Sequence, residues 1–292
     1  MLFRSIGFKY RDGLNNLFEG ALMLATSNTR VSDNARNAAG TAQNTDFSTL
    51  QPFLLRIPGT VSDVQGSTIF TDASATNPIR VNVRLNSYSF TTAAHQNFII
   101  LQFNIKNNNA TAISNLFAGL FFDWDMIDGS GANDIASWDS IGNFGFVDHL
   151  GASPTHFVGA ALLSSTNYGF FAIDNDQAVS GNPWGIYDGF SDNEKWLSLS
   201  SGIGRKNAGP GDVGFTVSGG SFNIAANDSI NVAFAILAAD NLNELRTSVA
   251  SARARYNTLT DINDNNILLP KEFSLSQNYP NPFNPKIGRA HV

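Results

Sequence analysis

The chain has 292 residues, enough for one large β domain or two small ones with a substantial hydrophobic core. Hydrophobic residues make up 42% and charged residues 14%, with 23 Phe and 25 Gly, a mix that suits short strands and polar turns and argues against a helical bundle. A net charge of −6 without a basic cluster argues against nucleic acid as a partner, no apolar run is long enough for a transmembrane segment, and the absence of cysteine excludes disulfides, Cys-based metal sites and thiol nucleophiles.

Ser5-Ile6-Gly7-Phe8-Lys9-Tyr10 reads as strand from the outset. The charged, apolar and small-residue regions of a signal peptide are missing, so the chain is either cytoplasmic or continues upstream. Residues 80–86 alternate, with Val81, Val83 and Leu85 inward. Tyr88 and Phe90 then break the phase, which predicts a bulge near Asn86-Ser87. Residues 97–106 form the clearest strand, with Ile99, Leu101, Phe103 and Ile105 on one face and Gln102, Asn104 and Lys106 on the other. Residues 116–124 are apolar on both faces and predict a central strand, and 168–173 look similar.

Ser191-Asp192-Asn193-Glu194 fits a capping box opening a helix through Trp196-Leu197-Ser198-Leu199. Val213, Phe215 and Val217, then Phe222 and Ile224, then Ile230, Val232, Phe234 and Ile236 continue the strand pattern, with Asn227-Asp228 as a hairpin turn. Asn241 caps a second helix with Glu244 three residues on. Leu242, Leu245, Val249, Ala252 and Tyr256 make its apolar stripe, and Arg246, Arg253 and Arg255 lie off it. This helix is expected to pack on the sheets and close a domain over residues 1–257, with a linker over 258–270. The fold expected is mainly β: an antiparallel, jelly-roll-like β-sandwich with a C-terminal packing helix.

Chemistry has few candidates. No Gly-x-Ser-x-Gly or His-Glu-x-x-His motif occurs, and His149 and His156 read as solvated loop histidines. Asp123, Asp125, Asp128, Asn133 and Asp134 surround two glycines and offer hard oxygen ligands for Ca²⁺, although the spacing is not that of an EF-hand. If Asp123 and Asp125 face water, Trp124 faces inward, and the two carboxylates are the pair to test for a hydrolase. Trp184, after Asn182-Pro183 in a Gly-rich stretch, is the exposed aromatic that suits a glycan-binding or adhesion module. Asp139, Asp174, Asp176, Asp188 and Asp192 read as markers of loop ends.

The C-terminal run is more specific. Phe273 and Leu275, followed by Gln277-Asn278-Tyr279-Pro280-Asn281-Pro282-Phe283-Asn284-Pro285, resemble the opening of the type A sorting domain of type IX secretion cargo. Alternating prolines make the run extended and stiff. The resemblance implies a protein secreted to, or held at, the outer-membrane surface of a Gram-negative bacterium, with the type IX machinery as a partner. The chain departs from that family at Lys286-Ile287-Gly288-Arg289-Ala290-His291-Val292, which resembles an in-frame translation of a sequencing adapter, so residues 271–285 read as the start of a truncated sorting domain.

From Gly7-Phe8-Lys9-Tyr10-Arg11-Asp12-Gly13 and Leu17-Phe18-Glu19-Gly20-Ala21 to Tyr256, the body resembles accessory segments of secreted proteins, some of them subtilisin-like peptidases. The expectation is a non-catalytic extracellular module of a larger protein, with other domains of the parent chain as neighbours. Its rivals are the glycan-binding module and the hydrolase.

Overall fold

Alternating apolar residues become two stacked antiparallel sheets in a computed structural model that describes residues 7–11, 13–127, 131–151, 153 and 155–260. The strands are β1 (Leu17–Ser27), β2 (Arg30–Asp33), β3 (Ser48–Arg56), β4 (Val64–Thr71), β5 (Val81–Ser89), β6 (Phe98–Asn107) and β7 (Ile113–Trp124). They continue as β8 (Asp134–Asp139), β9 (Phe144–His149), β10 (Phe157–Leu162), β11 (Tyr168–Asp174), β12 (Asn207–Gly211), β13 (Val213–Ile224) and β14 (Ser229–Ala239). Helix α1 (Asp192–Ser200) precedes β12, and α2 (Leu242–Thr260) follows β14. One sheet has five strands in the order β11-β13-β7-β1-β2, and the other has nine, in the order β12-β8-β9-β10-β14-β6-β5-β4-β3. The mainly β, sandwich-like fold with a C-terminal helix therefore holds.

Between the sheets lies the main core. Leu120, Phe122, Trp124, Phe170 and Phe215 come from the five-stranded sheet, and Val83, Leu85, Phe103 and Phe234 from the nine-stranded one. Two further clusters cover the outer faces. Leu245, Val249, Ala252 and Tyr256 of α2 pack on Phe98, Ile100 and Leu237 of the nine-stranded sheet. Leu199 of α1, with Ile186 and Phe190, packs on Met23, Phe121 and Ile173 of the five-stranded sheet. Both capped starts form: Glu194 N–H donates to Ser191 Oγ and Ser191 N–H to Glu194 Oε2, while Glu244 N–H donates to Asn241 Oδ1.

The second core explains one misread pattern. No bulge occurs at Asn86-Ser87, since β5 stays in register with both β4 and β6. Tyr88 lies on the opposite face from Leu85, where it joins the cluster under α2, and its hydroxyl donates to Gln102 Oε1 at 3.1 Å. A strand with two buried faces shifts its apolar phase without shifting its backbone.

Asn227-Asp228 is a turn but closes no hairpin within one sheet. It carries the chain from β13 in the five-stranded sheet to β14 in the nine-stranded one. Asn227 takes a positive φ of 62°, and Asn107 Nδ2 donates to Ile224 O and Ala225 O to hold the crossing. β7 is central as expected, whereas β11, equally apolar, lies at an edge, with Phe171 and Ile173 against the cluster beneath α1. Residues 7–10 make only an isolated bridge, Lys9 to Asn15, rather than a strand. Helix α2 continues to Thr260, past the expected start of the linker at 258. The rest of that linker, the sorting motif and the terminal heptapeptide lie outside the described residues.

Candidate functional site

The acidic candidates gather near the end of β7. Phe121 and Asp123 point to the outer face of the five-stranded sheet, because Phe122 and Trp124 alternate into the core. In register beside Asp123 on β1 stands Glu19. Both are buried, Glu19 at 0% and Asp123 at 3% exposure, so the carboxylates do not face water. Arg36, from the segment after β2, lies over them: its Nη2 is 3.2 Å from Asp123 Oδ2 and its Nε 3.6 Å from Glu19 Oε2. The same guanidinium donates to Ile186 O at 3.2 Å.

Asn175 closes the other side. Its Nδ2 donates at 2.6 Å both to Asp123 Oδ1 and to Asp212 Oδ1. Asp212 Oδ2 in turn accepts from the hydroxyl of Tyr187 at 2.7 Å, and Tyr187 is exposed. Burial, and then the charge of Asp212, push the Asp123 carboxyl well above the usual carboxylate range, against the pull of Arg36. Burial and the Asp212 hydrogen bond likewise raise the Tyr187 phenol. The network ties the segment carrying Arg36, the loop from Asn175 to Tyr187 and the start of β13 to the sheet.

The described residues among those expected to hold calcium take separate partners within the protein. Asp134 Oδ2 accepts from Met126 N–H at 2.9 Å, and its Oδ1 lies 2.7 Å from His149 Nδ1. Burial pushes the Asp134 carboxyl up to about 6, while the Met126 amide and His149 pull it down. Asp125 lies beyond the end of β7, is buried, and donates its backbone N–H to Asn16 O, so the strand does not persist to set it beside Asp123. Asn133 is exposed at a φ of 69°, and Asp128 lies outside the described residues. Among the described residues, no group of three or more His, Asp or Glu side chains is placed to hold a metal ion.

Neither His149 nor His156 is free in a loop. His149 holds Asp134 with its side chain 5% exposed, and His156 Nε2 lies 2.9 Å from Asn16 Oδ1. Trp184 is half-buried rather than open: its ring stacks on Phe171 at 5.2 Å and on Phe190 at 5.6 Å. Trp124 is fully buried, although the acids on either side of it are buried too and do not face water. Asp139 and Asp174 do end strands, but both are buried and ion-paired, with Arg246 and Arg205 respectively.

Arg36, Asn175, Tyr187 and Asp212 carry no local signature, since each reads as an ordinary loop residue. Glu19 did leave one, as an acid inside an apolar strand. No protein-family model matches the chain, and no curated protein matches it.

Proposed function

We propose that the chain is a non-catalytic extracellular β module of a larger protein exported by the type IX secretion system. The observation that carries this reading is the run from Phe273 to Pro285, which follows the domain-closing helix by a short interval. The site geometry is in keeping with a structural role. Asp123 is held by Arg36 and Asn175, and Asp134 by His149 and the Met126 amide, so the carboxylates bind the protein to itself. Such a module spaces or steadies its neighbours, or presents a surface.

The hydrolase reading would need Asp123 to meet a substrate, and Asp123 sits beneath Arg36 and Asn175. No helix among the described residues is long and apolar enough to cross a membrane. Reading the coding sequence past both ends tests the proposal. A secretion signal upstream and a complete sorting domain downstream are expected. A reading frame that opens at Met1 and closes shortly after Pro285 overturns it.

A further inference from the structure

Lys195 is the least expected buried group in the molecule. It sits in α1 with 0% exposure, and its only ion-pair partner among the described residues is Asp33, at the end of β2 and also at 0%. Its Nζ lies 2.9 Å from Asp33 Oδ1 and 3.0 Å from Oδ2. An atom equidistant from both carboxylate oxygens at that range is about 3 Å from Cγ, close enough for attack once the carboxylate turns its face to the nitrogen.

The carbonyl side is equally prepared. Ala35 N–H donates to Asp33 Oδ1 at 2.8 Å, and Asn44 Nδ2 approaches both oxygens, at 3.3 and 3.2 Å. Fixed donors of this kind stabilise charge that develops on oxygen during attack. A second acid stands against the Asp33 backbone. Asp46 accepts the Asp33 N–H through Oδ2 at 3.0 Å and returns its own N–H to Asp33 O. The Phe190 ring lies 5.5 Å from Nζ, and Lys195 and Asp33 themselves have no exposure, while Asp46 is half-buried.

We propose that Lys195 and Asp33 condense into an intramolecular isopeptide bond, Nζ to Cγ, with Asp46 relaying the proton. Attack requires the uncharged pair, amine and carboxylic acid, which proton transfer within the ion pair supplies without any outside reagent. Burial raises the Asp33 carboxyl, and it pushes Asp46 up to about 6. The amine nitrogen attacks Cγ, the Cγ–O bond breaks, and Asp46 passes the proton lost by nitrogen to the departing hydroxyl. The products are one amide and one water, with no change of oxidation state and no co-reactant. The bond joins residues 162 apart in a chain without cysteine, and it ties α1 to the five-stranded sheet. It needs only the folded chain, so its test is independent of the export proposal.

Intact-mass spectrometry of the purified full chain is the experiment. The mass expected is lighter than that of the sequence by one water, and digestion should release a branched peptide joining the fragments that contain Asp33 and Lys195. Lys195→Arg should restore the full mass. Asp46→Asn should do so too while keeping the wild-type circular dichroism, and a linked Asp46→Asn would overturn the role given to Asp46. Soluble, folded wild-type chain at full mass, with separate peptides, overturns the proposal. Loss of ammonia instead of water would place the bond at Asn44 and overturn the assignment to Asp33.

Discussion

Glu19 and Asp123 stand opposite each other on neighbouring strands, both buried, with the Arg36 guanidinium over the pair. Like charges directly opposite in a sheet are destabilising, so this arrangement holds through its counter-ion and through a raised Asp123 pKa. Removing Arg36 leaves the acids buried without it. Arg36→Ala should lower unfolding stability by about 3 kcal/mol in urea denaturation. Adding Asp123→Asn should recover part of that loss, and additive losses would show that the two side chains are not coupled.

Asp134 should make stability depend on pH. Its folded pKa of about 6 lies above the value of about 4 for an unfolded Asp, so the folded state binds more protons between those values. Its contribution is therefore complete below about pH 4 and is lost as pH rises through about 6. The stability difference between the wild type and Asp134→Asn should shrink or reverse over that window. A difference flat in pH would mean that the carboxyl titrates normally.

Trp184 should behave as packing. Trp184→Ala removes the ring that stacks on Phe171 and Phe190 and should cost about 2 kcal/mol, less than a fully buried Trp because the ring is partly open. Binding to a glycan array is the complementary measurement. Binding by the wild type that disappears in a still-folded Trp184→Ala chain would favour the adhesion reading.

Calcium should leave thermal stability unchanged. Arg36 and Asn175 engage Asp123, and His149 with the Met126 amide engages Asp134, so a cation would have to displace those partners. Equal melting temperatures in calcium and in chelator are expected. A rise with calcium would place a site at these carboxylates after all.

The sequence by itself determined the local elements. Period-two alternation exposed β5, β6 and β14, the two-faced apolar run exposed β7, a capping box exposed α1, and a cap with an apolar stripe exposed α2, because each signal lies within one stretch of backbone. The partners of those elements were not legible. Tyr88 read as a slip in register because its second core is made by α2, which begins more than 150 residues later. Asn227-Asp228 read as a hairpin because a turn motif does not say which sheet the next strand joins. Only the tertiary structure set Arg36 on Asp123 and Lys195 on Asp33, contacts 87 and 162 residues apart. The physical reason is that burial makes a charge seek the nearest opposite charge in space, and chain order does not record that distance.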